Sequence, residues 1–392
     1  MTTVAPKTVV LTGGGSGGHI MPILAVAAAL KQHLPTVHIV YVGQRGDRFA
    51  DIAANDSHID TVYYVRAGKL RRFHGEGFKQ LLHISDVVKN IRDGIYVVIG
   101  IYQSWWLMKR LKPAIVFSRG GFVSVPVATG ARLGHVPYIT HDSDLVPSLA
   151  NRLIASGARL HAVAFDAQMY PYPIKNTVTT GVPVSTAFQP VNDKMKNQYR
   201  RMLNIPSNSP LLFIIGGGQG SRDVNEAVAT ILPVLFKEFP NLYVVQVAGQ
   251  DNKDALIERY HQLLPTAVAK QVMVYGFIKD VYVYSGAADV VVTRAGATNL
   301  AEFAIQGKAC IVLPSSFLAG GHQLKNAAYL AEKKAAIIIL PEELKQQPNI
   351  LADHINELLK NPSEREVFET ALAKLAQPDA AERLAKLILE QT

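Results

Sequence analysis

Two glycine runs, and the side chains that follow them, are the residues best placed in this chain to do chemistry. The first run is Gly13-Gly14-Gly15-Ser16-Gly17-Gly18-His19, directly after the apolar stretch Thr8–Thr12. Glycine lets a backbone approach a ligand closely, and the N–H groups that open the next helix attract an anion. A dinucleotide fingerprint would need Gly-x-Gly-x-x-Gly and an acidic residue closing the second strand, but that strand ends in Val42-Gly43-Gln44-Arg45. The lysine of a P-loop is also missing. A dehydrogenase and a P-loop nucleotidase are both disfavoured. His19 stands where strand meets helix. An imidazole of near-neutral pKa there can take a proton from an attacking hydroxyl; the alternative is a histidine that caps or packs within the turn.

The second run, Gly216-Gly217-Gly218-Gln219-Gly220-Ser221-Arg222, repeats the turn about two hundred residues later. A third segment, Thr293-Arg294-Ala295-Gly296-Ala297-Thr298-Asn299-Leu300-Ala301-Glu302, puts small residues at a helix start, where a diphosphate can lie against backbone N–H groups. Thr298 and Glu302 share a helix face by their spacing of four, and a carboxylate there can accept both hydroxyl protons of a ribose. The alternative is an ordinary capped helix with Glu302 in solvent. In a fourth segment, Gly320-Gly321-His322-Gln323-Leu324-Lys325-Asn326, Gln323 can hydrogen-bond sugar hydroxyls.

The elements that must position these groups follow an α/β pattern. Strands are expected at Thr8–Thr12, Val37–Val42, Ala114–Phe117 and Tyr138–Thr140, with a helix over Pro22–His33. The pattern restarts with strands Leu211–Ile215, Leu242–Val247, Val272–Tyr275, Val290–Thr293 and Ala309–Leu313, and a helix over Val224–Glu238. A length of 392 residues suits two domains. The expected division is 1–183, 184–377 and a last helix in 378–392 that crosses back to the first domain. Cys310 is the only cysteine, so no intrachain disulfide is possible and a reducing compartment fits. No secretory signal is expected at Met1–Lys7. The apolar stretch Ile95–Met108 falls short of the roughly 20 residues of a spanning helix. A net charge of +9 favours an anionic partner, but no zinc-ligand spacing or aromatic ribonucleoprotein motif accompanies it, so nucleic acid is not expected.

Taken in order, these segments resemble the MurG family of transferases. The resemblance runs over nearly the whole chain: Gly14–His19 with Pro22, Ser118–Pro126, Gly216–Arg222, Phe277-Ile278, Arg294–Glu302, Gln323 to Asn326, and Pro378-Asp379-Ala380 with Glu382-Arg383. It implies a GT-B type fold, two Rossmann-like domains facing a central cleft. It also implies inverting transfer of N-acetylglucosamine from UDP-N-acetylglucosamine to the muramyl 4-hydroxyl of a lipid-linked muramyl-peptide acceptor, lipid I giving lipid II, without metal or cofactor. On matching positions, Ser16, Gly17 and Gly18 would lie against the donor diphosphate and the acceptor pyrophosphate, with His19 as general base. Ile278 would read uracil through its backbone. Ala297, Thr298 and Asn299 would hold phosphates, with Leu300 and Ala301 beside them. Glu302 would take the ribose and Gln323 the sugar, with Gln219 also on the donor side.

Three donor-side positions depart from the family pattern. Its His-Glu-Gln-Asn stands here as His141-Asp142-Ser143-Asp144, which places a carboxylate at Asp144 where an amide is usual. Gly181-Val182-Pro183-Val184-Ser185 lacks the usual Asn and Arg, so Ser185 replaces a cationic phosphate contact, and Gly218 replaces a serine. Asp142-Ser143-Asp144 also spells the Asp-x-Asp of a metal-dependent fold, which the surrounding sequence contradicts. These departures leave two alternatives open: a related UDP-sugar transferase acting on another lipid or polyprenyl carrier, and a degenerate sugar-nucleotide binding subunit.

The family works at the cytoplasmic face of the cell membrane as a peripheral protein. Here Lys69-Leu70-Arg71-Arg72-Phe73-His74, Phe78, Lys79, Leu81 and Leu82, then Ile101, Tyr102, Trp105, Trp106, Lys109 and Arg110, can form a basic-rimmed apolar patch for anionic lipid. The alternative is an amphipathic helix whose aromatics lie in the core.

Overall fold

The structure is a computed structural model and describes residues 7–14, 17–47, 50–69, 84–315 and 321–392. Two compact units divide the chain. One runs to Ser185 and includes the terminal segment Pro378–Thr392; the other begins at Thr186 and ends at Gln377.

The first unit is built on a seven-stranded sheet. Its strands are β1 (Thr8–Thr12), β2 (His38–Gln44), β3 (Thr61–Val65), β4 (Ile115–Ser118), β5 (Tyr138–Asp142), β6 (Leu160–Val163) and β7 (Thr177–Thr179), in the order β3-β2-β1-β4-β5-β6-β7. Every neighbouring pair is parallel. Helices cover both faces of such a sheet, so its central strands read as unbroken apolar runs. Val9, Leu11, Ile39, Ile115 and Phe117 fill one face, and Val10, Val40, Val42 and Val116 fill the other.

The second unit repeats the plan with β8 (Leu211–Ile215), β9 (Tyr243–Val247), β10 (Val272–Tyr275), β11 (Val290–Thr293), β12 (Ala309–Val312) and β13 (Ile337–Ile338), in the order β10-β9-β8-β11-β12-β13. All pairs are again parallel. In both sheets the order reverses beside the strand that precedes a glycine run, at β1/β4 and at β8/β11. Ligands of open α/β sheets bind outside the carboxyl ends of the strands at such a switch point.

The first helix spans Gly17–His33, starting five residues before the expected Pro22. A proline inside a helix has no N–H for the carbonyl four residues back, here that of Gly18. Arg119 Nη2 donates to that carbonyl oxygen at 3.4 Å, so the end of β4 supplies what Pro22 lacks. The last helix, Ala380–Glu390, buries Ala381, Leu384, Ala385 and Ile388 in the cluster that holds Ile20, Ile23 and Leu30 of the first helix. Burial of Leu384 and Ile388 is worth about 1.5–3 kcal/mol each.

At the opposite, amino end of the second sheet, Asp289 ties a helix to the strands. It accepts from Lys196 Nζ at 2.5 Å, Arg200 Nη2 at 2.6 Å and the backbone N–H of Leu211 at 2.7 Å. Burial alone would raise its carboxyl; Lys196 and Arg200 outweigh that and hold it below the usual carboxylate range.

Candidate active site

In the first unit, the loop after β1 and the first turn of the next helix carry the candidate base. His19 is the third residue of that helix and keeps part of its surface open. Its Nδ1 lies 3.0 Å from the carbonyl oxygen of Gly14. A carbonyl only accepts, so Nδ1 holds the proton and Nε2 carries the lone pair. Burial first, and the Arg119 guanidinium second, lower the imidazole from the near-neutral value expected from the sequence to about 4, against opposing pulls from the Gly14 carbonyl, Asp144 and Asp47. At neutral pH this histidine is uncharged and accepts a proton.

Residues from three other strands converge on the same loop. Tyr41 of β2 donates to the Gly13 carbonyl, and a methyl group placed on Gly14 would stand 3.2 Å from Asp47 Oδ2. Arg119, just past β4, is only 6% exposed, and its Nε has no hydrogen-bond partner among the described residues. Gly121 follows at φ +81°, and a Cβ there would come within 2.6 Å of the Gly14 carbonyl oxygen. Only glycine lets these two loops meet.

Asp144 follows β5, on a segment anchored by Asp142. Asp142 accepts from Ser148 N at 3.0 Å, Asn151 Nδ2 at 2.9 Å and Tyr172 Oη at 2.7 Å. Tyr172 stacks on His161 with ring centroids 3.9 Å apart. Burial raises the Asp142 carboxyl against these bonds. With its oxygens so committed, Asp142 does not make an open metal pair with Asp144. Among the described residues no group of three or more His, Cys, Asp or Glu side chains could hold a metal ion.

In the second unit, the carboxyl ends of β8 and β11 carry most of the residues expected on the donor side. Ser221 caps the helix Arg222–Glu238 by accepting from Val224 N. Gly216 to Gly220 form the turn before it, with Gly218 partly buried and Gln219 exposed. The helix Ala297–Gln306 begins after Gly296, which supplies no side-chain cap, and a helix start is a place that attracts an anion. Ala297 and Leu300 are buried, while Thr298, Asn299 and Ala301 keep some surface. Ile278 is buried in the loop after β10.

Glu302 is 8% exposed, so the reading of a carboxylate in solvent does not hold; burial raises its carboxyl to about 8. Gln323, equally buried, opens the helix His322–Glu332 and accepts through Oε1 from Arg294 Nε at 3.1 Å and from Ser315 N at 2.9 Å. Arg294 Nη1 also donates to Ser221 Oγ at 2.6 Å and stands 3.7 Å from Asp223.

The structure thus groups Gly17, Gly18, His19 and Asp144 in the first unit, and Gly218, Gln219, Ala297 to Glu302 and Gln323 in the second. Ser185 closes the first unit and is partly buried. Ser16 lies outside the described residues. Sequence reasoning gave no role to Arg119, Asp47, Tyr41 or the side chain of Arg294. Arg119 and Arg294 sit inside the quoted motifs, so an arginine beside a glycine turn was the available signal.

The chain matches two family models, one after the other. The N-terminal domain of glycosyltransferase family 28 matches residues 9–162, and the C-terminal domain of that family matches residues 211–384. It is 31% identical, over 97% of its length and 99% of the relative, to the UDP-N-acetylglucosamine–N-acetylmuramyl-(pentapeptide) pyrophosphoryl-undecaprenol N-acetylglucosamine transferase of Clostridium kluyveri. The transferase of the same name from Treponema denticola is 33% identical over 86% of this chain and 85% of its own. Among solved structures, Acinetobacter baumannii MurG superposes with a TM-score of 0.69 at 23% identity, covering 98% of this chain and all of that one (100%). The Neisseria meningitidis UDP-GlcNAc 2-epimerase bound to UDP-GlcNAc gives 0.68 at 12% identity, over 98% of this chain and 100% of the other. These two likenesses concern the fold.

Proposed function

Because the chain belongs to glycosyltransferase family 28, within its MurG branch, we propose that it transfers N-acetylglucosamine from UDP-N-acetylglucosamine to a lipid-linked muramyl-peptide, turning lipid I into lipid II for peptidoglycan. The observation that carries this reading is His19. Its proton is held at Nδ1 by the Gly14 carbonyl, which leaves Nε2 as a neutral acceptor at a helix start.

The chemistry is one displacement. The muramyl 4-hydroxyl oxygen bonds to the anomeric carbon as its proton passes to His19 Nε2. The bond from that carbon to the β-phosphate oxygen breaks, and its electron pair leaves with UDP. In-line attack inverts the anomeric centre. The N–H groups that open the helix Ala297–Gln306 stabilise charge growing on the diphosphate, the task that metal ions perform elsewhere. Glu302 accepts from the ribose hydroxyls, Ile278 meets the uracil through its backbone, and Gln323 meets the sugar. Gly17 and Gly18 carry the backbone against the pyrophosphates. Asp144, Ser185 and Gly218 are variations that this site tolerates.

The acceptor is a lipid, and we place the protein peripherally on the cytoplasmic face of the membrane. One face of the helix Ile84–Leu111 supports this placement. Ile91, Ile95, Val98, Tyr102 and Trp106 recur every three or four residues and are all exposed, Trp106 by 52%. Lys89, Arg92, Lys109 and Arg110 flank them in sequence, and Arg110 stands over the Trp106 ring at 5.5 Å. An apolar stripe edged with cations suits anionic lipid. Trp106 does not lie in the core, and no described helix is long and apolar enough to cross a membrane. The basic residues from Leu70 to Leu82 lie outside the described residues.

His19→Ala tests the mechanism. UDP release in the presence of lipid acceptor should fall at least about 100-fold, with UDP binding within about twofold of wild type. Turnover at the wild-type rate would remove His19 as the base.

A further inference from the structure

We propose that Arg294 is a positioning residue that fixes which end of the Gln323 amide meets the donor sugar, and so sets the choice between sugar epimers. The inference rests on the reading of Gln323 as the sugar contact.

A glutamine amide offers an acceptor at one end and two donors at the other, and a free amide can turn either end to a ligand. Gln323 has no such freedom. Its Oε1 takes Arg294 Nε at 3.1 Å and the Ser315 backbone N–H at 2.9 Å. Two donors use both lone pairs of that oxygen. Turning the amide over would set its NH2 group against two N–H groups in a buried place, and buried donors without acceptors are costly. The Nε2 amino group is therefore the end a sugar meets, and it requires a sugar oxygen as acceptor.

Arg294 is fixed in turn. Its Nη1 donates to Ser221 Oγ at 2.6 Å, and Asp223 stands 3.7 Å away. Ser221 is also the cap of the helix Arg222–Glu238. One guanidinium thus ties the glycine turn after β8 to the amide that reads the sugar. A lysine keeps the charge near Asp223 but cannot reproduce the planar fork that reaches Gln323 and Ser221 together.

The test compares wild type, Arg294→Lys, Gln323→Ala and the double variant. For each, kcat/KM is measured with UDP-N-acetylglucosamine and with its 4-epimer, UDP-N-acetylgalactosamine. Affinities for both donors and for UDP are read by calorimetry. Arg294→Lys should reduce the preference for UDP-N-acetylglucosamine about 10-fold, the worth of one well-placed hydrogen bond, while its UDP affinity stays at the wild-type value. Gln323→Ala should lose at least as much, and the double variant no more than Gln323→Ala alone. Three results would overturn the proposal: an unchanged epimer preference in Arg294→Lys, losses that add in the double variant, or UDP affinity falling in step with preference. The last would put Arg294 on the nucleotide itself. If wild type transfers no sugar yet prefers one donor in binding, the transferase reading fails while the calorimetric comparison still decides the role of Arg294.

Discussion

Glu302 is the sixth residue of the helix Ala297–Gln306, and burial raises its carboxyl to about 8. A carboxyl that accepts two ribose hydroxyls must be ionised, so a donor bound there draws the proton off. Below about pH 8 binding must displace that proton, and above it the group is already ionised. Affinity for UDP-N-acetylglucosamine should therefore rise between pH 7 and 8, by at most about tenfold per pH unit, and level off above. Glu302→Gln should bind more weakly and show a flat profile. Calorimetry over this range checks it, and a wild-type affinity that does not change with pH would count against Glu302 as the ribose contact. His19 is shifted the other way because burial penalises the charged form of either group, which for histidine is the protonated one.

Among the elements, four strands were the most legible in the sequence. Thr8–Thr12, Leu211–Ile215, Val272–Tyr275 and Val290–Thr293 appear in the structure with the expected bounds. They are short apolar runs followed by turn residues; three of them are central strands covered on both faces, and Val272–Tyr275, half-buried at a sheet edge, is apolar throughout. Thr61–Val65, Thr177–Thr179 and Ile337–Ile338 gave no comparable signal: the last two have only three and two residues, and the first is an edge strand with one exposed and three half-buried positions. The start of the first helix was misplaced because Pro22 reads locally as a helix opening. What allows five residues before it is Arg119, 101 positions away. The same distance hid Arg119, Asp47 and Arg294 as members of the candidate site: their partners are set by strand order and not by local spacing. Asp289 belongs to this scale as well, since it holds a helix to the amino ends of two strands. Asp289→Asn leaves Lys196 and Arg200 without their counter-charge and should cost about 3–5 kcal/mol, read as a lower denaturant midpoint at pH 7. Because the carboxyl is held below its usual range, the stabilisation it gives is present at pH 7 and fades as pH falls through that lowered value. A midpoint equal to that of wild type would show that the ion cluster adds nothing.

For the molecule as a whole, the same plan is used twice with different surfaces: one unit carries the candidate base and an exposed apolar helix face, the other carries the turns proposed for the nucleotide. The net charge of +9 fits an anionic partner, and the exposed stripe on Ile84–Leu111 is where we propose that anionic lipid meets part of it. The protein should co-sediment with vesicles containing anionic phospholipid and much less with neutral ones, and added salt should weaken the binding. Replacing Val98, Tyr102 and Trp106 together by serine should reduce vesicle binding at least about tenfold and leave UDP binding as it was. Equal binding by the triple variant would move the membrane contact elsewhere.

The most direct test of the central claim is the product itself. The purified protein is incubated, without added metal, with UDP-N-acetylglucosamine carrying carbon-13 in the sugar and with a lipid-linked muramyl-peptide, and the new linkage is read by nuclear magnetic resonance. One β-linked N-acetylglucosamine on the muramyl 4-oxygen, formed with one UDP per acceptor, is the predicted result. An unmodified acceptor, an α linkage, or label recovered only as an epimerised donor would contradict it.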